Sequence, residues 1–275
     1  MEFDITGKLP AELELMVGAG GMLMLTAVLI MIILFKKRWH GRIIPMLLGL
    51  AAYFVFVFTP TNLILSAFSL IPSVAEGFIY NPQAGTIVYC VLLAATGVVA
   101  KIVVNKMLSQ RYEKQGDVYM AGLGIGLGDA ILYGMTAISI YIWCIAINSD
   151  GIESVLAGLE GMSEQELAST YESLNSMYVA PAILWLLYGV NAVIDIVTQF
   201  ILTNITYGIS KGYVPTMWYG ISMAISFAVT ITFLLFDEAS LVSILIWFAV
   251  KLLIFVIAAY YAHFVVAKNI QYEEE

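Results

Sequence analysis

The chain has 275 residues, of which 61% are hydrophobic and only 12% charged, with a mean hydropathy of +0.92. A soluble domain carries about 25% charged residues. This composition therefore excludes a soluble globular enzyme, a disordered segment and a nucleic-acid binder. The net charge is −8, and the two cysteines and two histidines are too few for a disulfide framework or a histidine metal centre.

A helix needs about 20 apolar residues to cross a bilayer. Seven such stretches predict an all-α, polytopic transmembrane bundle forming one domain over 1–275. The first span runs from about Leu15 to Phe35. Its acidic start is unlike a signal peptide, so it is expected to stay as a membrane helix. The second starts near Ile43 and is interrupted at Thr59-Pro60-Thr61-Asn62; Leu63 to Leu70 is either its end or a separate short piece. The third covers Ala84 to Asn105 and the fourth Val118 to Ile147. An external acidic segment, 148–177, follows. Within it, Ser163-Glu164-Gln165-Glu166 has capping-box form and predicts a surface helix over Glu164 to Ser173. The last three spans are Val179 to Tyr207, Pro215 to Phe236 and Leu241 to Val266.

Basic residues set the expected orientation. Lys36, Lys37, Arg38, Arg42, Lys106, Arg111, Lys114, Lys211 and Lys268 fall on one side, and only Lys8 on the other. The N-terminus is expected outside and the C-terminus inside.

Four ionisable residues lie within spans: Lys101, Asp129, Asp195 and Lys251. Charges in a bilayer face the bundle interior and find partners. Asp129, Asp195 and Lys251 sit roughly 17–22 Å from the inner ends of their spans, at 1.5 Å per residue, so they can meet near the midplane. Lys101 is only about 8 Å from that end and is expected to snorkel. The trio reads either as a functional site or as an ion pair locking three helices.

Span five carries Asn191, Asp195, Gln199 and Thr203 at four-residue spacing, and span six carries Ser222, Ser226 and Thr230. Such faces imply interhelical hydrogen bonds or a wet cavity, to which Tyr133, Tyr188 and Tyr219 can add hydroxyls. Span four opens with two interleaved GxxxG pairs, Gly122 with Gly126 and Gly124 with Gly128. These predict close helix packing; they also leave room beside the Asp129 carboxylate. Cys90 and Cys144 fall near the outer ends of neighbouring spans, either as a disulfide or, by the usual behaviour of isolated membrane cysteines, as small buried fillers.

Span order, the basic first inner loop and the glycine-rich stretch Gly122-Leu123-Gly124-Ile125-Gly126-Leu127-Gly128-Asp129-Ala130 resemble the YhfC-like intramembrane protease family. That family is related to the prenyl-protease and bacteriocin-immunity membrane proteases. Its corresponding motif has a histidine where Ile125 stands and a glutamate where Asp129 stands. Its acidic pair in span three has no counterpart here, and Lys101 is the nearest match to the arginine that follows it. Its Glu-Arg, His and Ser in span five align with Asn191-Ala192, Gln199 and Thr203. The His and Asp of its span six are missing from Trp218 to Thr230. The resemblance thus implies a member without metal ligands or cofactor, in a bacterial cytoplasmic membrane. Such a protein would bind membrane lipid, a transmembrane peptide or a partner membrane subunit, and no nucleic acid.

Two other readings stay open. Gly126-Leu127-Gly128-Asp129 is similar to the GxGD motif of presenilin-like aspartyl proteases, with Asp195 as the second carboxylate. The alternative is a transporter or a transporter accessory subunit. The candidate cavity residues are Lys251, Asn191, Gln199, Thr203, Ser222, Ser226, Tyr133, Gly126 and Gly128, with Asp129 and Asp195 catalytic only in the protease reading.

Overall fold

The computed structural model describes residues 8–79, 81–108, 111–112, 114–152, 155, 164–237, 239–262 and 267–270. Among them there is no strand. The helices are α1 (Ala11–Arg38), α2 (Ile43–Tyr53), α3 (Thr59–Ser69), α4 (Pro72–Val74), α5 (Pro82–Leu108), α6 (Gln115–Asp150), α7 (Glu164–Val179), α8 (Ile183–Ser210), α9 (Trp218–Ile231) and α10 (Leu241–Tyr261). Seven helical stretches are long and apolar enough to span a membrane. This is the expected all-α transmembrane bundle.

The interruption at Pro60 is resolved in a specific way. A π-helical turn, Phe54–Phe58, joins α2 to α3, and Pro60 sits in the first turn of α3. Proline cannot donate to the helical ladder, and the single π turn just before it is the kind of bulge that interrupts an α-helix without ending it. Leu63 to Leu70 is therefore the continuation of the second span, which runs from Ile43 to Ser69. The surface helix starts at Glu164 as expected and extends to Val179, beyond Ser173. Ser163, its expected cap, lies outside the described residues.

Helix α6 is the central post, and its first half is buried almost residue by residue. Its glycines explain how. A Cβ on Gly122 would meet Phe200 Cα at 2.8 Å, and one on Gly126 would meet Ile196 Cα at 2.7 Å; both press against α8. A Cβ on Gly124 would overlap the Met46 carbonyl of α2, and one on Gly128 would overlap the ring of Tyr53. The two GxxxG pairs thus serve two different helices. Gly49 of α2 packs on Ala121, and Gly20 of α1 packs on Gly189 of α8, by the same close approach.

The basic helix ends gather on one face. Arg42, capping α2, pairs with Asp117 at the start of α6 at 2.5 Å, and its backbone N–H also donates to that carboxylate at 3.0 Å. The Asp117 hydrogen bond and charge hold the guanidinium above its ordinary pKa against the opposing effect of burial. Asn105, near the end of α5, donates to Thr203 O and Thr206 Oγ1 on α8. On the opposite face Leu9 N–H donates to Asn148, and Leu174 and Met177 of α7 pack with Leu13 and Cys144. Outward-facing Leu25, Leu29 and Ile33 on α1, and Leu245, Leu253 and Val256 on α10, present the apolar belt that lipid requires.

Candidate functional site: a polar cavity inside the bundle

A cavity of about 680 Å³ lies between α2, α3, α5, α6, α8, α9 and α10. That volume is in the usual range for small-molecule sites. Its wall runs along α5 from Thr86, near the start of the helix, to Gly97 about three turns deeper.

Lys251 and Asp195 form the cavity's ion pair. The Lys251 ammonium lies 2.8 Å from Asp195 Oδ1 and 3.1 Å from Oδ2. Asn191, one turn before Asp195, donates to Oδ2 at 3.0 Å. The Lys251 side chain is 6% exposed and that of Asp195 27%. Lys251 stands about 15 Å from the start of α10, and Asp195 about 18 Å from the start of α8, on a 1.5 Å rise. Both helices start on the same face of the bundle, so these similar depths let the two side chains meet.

Asp129 also lines the cavity and is held differently. The Tyr53 hydroxyl donates to its Oδ1 at 2.5 Å. Tyr53 reaches it because Gly128 has no side chain to block the ring. Asp129 interacts electrostatically with Asp195, Lys101 and Lys251, but it forms no ion pair among the described residues.

Two amide oxygens on α8 complete the polar wall. Asn191 Oδ1 and Gln199 Oε1 are buried and accept no hydrogen bond. They stand one turn to either side of Asp195. An unsatisfied buried acceptor costs about 1–3 kcal/mol, so such atoms mark a place where a donor belongs. The rest of the wall includes apolar Val57, Leu65, Leu93, Ile125 and Phe233, together with Cys90, Ser226 and Thr230.

Of the residues singled out from sequence, Asp129, Asp195, Lys251, Asn191, Gln199, Ser226, Thr230 and Cys90 line this cavity. The others sit in helix contacts. Thr203 is fully buried and donates to Gln199 O. Ser222 is fully buried, and its hydroxyl has no partner. Tyr133 donates to the Trp185 carbonyl at 3.2 Å. Gly126 seats α8 and Gly128 seats Tyr53, so their space is taken up by neighbours.

Lys101 does not snorkel. Its side chain is buried, and its ammonium donates to Gly97 O at 3.1 Å, one turn back along α5. Helical side chains lean toward the N-terminus of their helix, which here is away from the basic face. The cysteines are free and separate: Cys90 is on the cavity wall, whereas Cys144 packs with Leu13 and Leu174.

Sequence reasoning missed Tyr53, Tyr89 and Thr86. Tyr53 and Tyr89 are single phenols in apolar runs, with no polar periodicity to mark them. Among the described residues no group of three or more His, Cys, Asp or Glu could hold a metal ion. No protein-family model, curated protein or solved structure matches this chain.

Proposed function

We propose that this multi-pass membrane protein is a non-catalytic binding protein that holds a ligand in its intramembrane cavity. One observation carries the reading: a cavity of about 680 Å³ whose wall combines a closed ion pair with two buried, unpartnered amide oxygens. An aspartyl mechanism needs two carboxylates that share one proton. Here Asp195 gives both oxygens to Lys251, which leaves Asp129 without a carboxylate partner to share with.

The resemblance to YhfC-like proteases supports the same reading. Ile125, at the position of the family's histidine, puts a hydrocarbon on the wall. On this reading the chain keeps the protease plan without its metal chemistry. It sits in a bacterial cytoplasmic membrane with its basic face inside, and acts as a binding, scaffold or accessory protein for a lipid, a transmembrane peptide or a partner subunit.

The test is native mass spectrometry of the full chain released from its membrane. A bound mass is expected, and Leu93→Trp, which fills the cavity, is expected to lose it. A bare chain, or a bound mass indifferent to Leu93→Trp, contradicts the reading.

The juxtaposition of Asp129 and Asp195 on one wall favours a second reading, an aspartyl-type intramembrane protease. Its test is cleavage of a transmembrane peptide by the wild type and its loss in Asp129→Ala. Cleavage that survives the substitution excludes it.

A further inference from the structure

Two buried polar atoms beside the cavity lack a partner, and both are acceptors. Asn191 Oδ1 and Gln199 Oε1 accept nothing. Asp129 accepts one bond, from Tyr53 at its Oδ1, and no cation pairs with it among the described residues. The lining charges are Asp129, Asp195 and Lys251, which leave one carboxylate in excess. The nearby Lys101 acts on Asp129 only at a distance: it does not line the cavity, and its ammonium donates to the Gly97 carbonyl. An anionic ligand would meet Asp129 with no free cation to receive it. A neutral hydrocarbon would leave the acceptors unmatched.

Resting on the reading of the cavity as a binding site, we propose that its ligand carries an ammonium group on an apolar tail. The ammonium sits against Asp129, on the side of the cavity wall that Asn191 and Gln199 make polar. The tail lies against Val57, Leu65, Leu93 and Phe233. A charge-assisted hydrogen bond in a dry site is stronger than a neutral one, so Asp129 supplies the selectivity. The ammonium comes from a membrane lipid headgroup or from a free amine.

Protection against thermal unfolding gives the readout. The full chain is purified in uncharged detergent. Dodecylammonium, dodecanol and dodecanoate share a tail and differ in the head. Dodecylammonium is expected to raise the melting temperature at a concentration about tenfold or more below the other two, a ratio set by one charged hydrogen bond. Asp129→Asn is expected to abolish the preference, while Tyr53→Phe, which keeps the carboxylate, retains it.

Equal protection by all three probes, or an unchanged preference in Asp129→Asn, overturns the ammonium proposal and leaves the binding reading standing. Protection by none of them, together with a bare chain in mass spectrometry, overturns both. Two further arms assign the source. Protection in phosphatidylethanolamine nanodiscs but not in phosphatidylcholine nanodiscs supports a lipid headgroup. Protection by tailless ethylammonium supports a free amine.

Discussion

The ring of Tyr53 fills the space that a side chain on Gly128 would need, and from there its hydroxyl reaches Asp129 at 2.5 Å. The glycine therefore shapes the cavity through a partner helix. Gly128→Ala is expected to destabilise the bundle by about 1–3 kcal/mol, since the methyl must displace an aromatic ring in a packed interior. Gly21→Ala is the control, because its Cβ would meet nothing within 4 Å. Thermal unfolding in detergent checks both; equal melting temperatures would contradict the packing role.

The Lys251–Asp195 pair gives a second prediction. Lys251→Met leaves a carboxylate without its cation inside the bundle and is expected to cost about 3–5 kcal/mol. Adding Asp195→Asn to it is expected to recover at least half of the loss, because the stranded charge is gone. A double-mutant cycle by thermal unfolding measures the coupling. Simple additivity would mean that the pair contributes nothing.

At the basic face, Arg42 neutralises Asp117. The Asp117 side chain is fully buried and accepts from both the backbone and the guanidinium of Arg42, whose side chain is 46% exposed. Asp117→Ala is expected to cost about 1–3 kcal/mol, and Arg42→Ala at least as much, because it leaves the buried carboxylate without its cation. The raised pKa of Arg42 has a definite sign. A basic group raised on folding contributes fully below its unfolded pKa and loses that contribution only as pH climbs through the folded value. Melting curves should therefore show no loss from this group up to about pH 10.

The two cysteines predict low reactivity in the folded chain. Cys90 lies beside the cavity and Cys144 within a packed cluster, and both are buried free thiols. A small maleimide is expected to modify each of them far more slowly in the folded protein than in the denatured chain. Peptide mapping after timed labelling reads this out, and equal rates in the folded and denatured chains would contradict the placement.

Much of this was legible in the sequence because a bilayer imposes strict patterning. The seven spans follow from hydropathy, and the glycine pairs of α6 announce close packing. The Asp195–Lys251 contact follows from matched depth on two helices that start on the same face. What stayed hidden depends on rotation about helix axes and on neighbours. Thr203 and Gln199 lie on the same stripe, yet Gln199 lines the cavity and Thr203 faces the packing against Gly122. Lys101 looked close enough to the basic end to reach it, but its side chain runs toward Gly97. Tyr53 carries no local signal because its role depends on a missing side chain on another helix.

The central claim is that the cavity walled by Asp129, Asn191, Asp195 and Lys251 is an occupied binding site in the membrane. An experimental density map of the full chain in nanodiscs of its native lipid tests it most directly. The account predicts ordered density from Asp129 toward Asn191 and Gln199, with a tail along Leu93 and Phe233. A map in which α5 and α9 close on each other and leave no space beside Asp129 would contradict it.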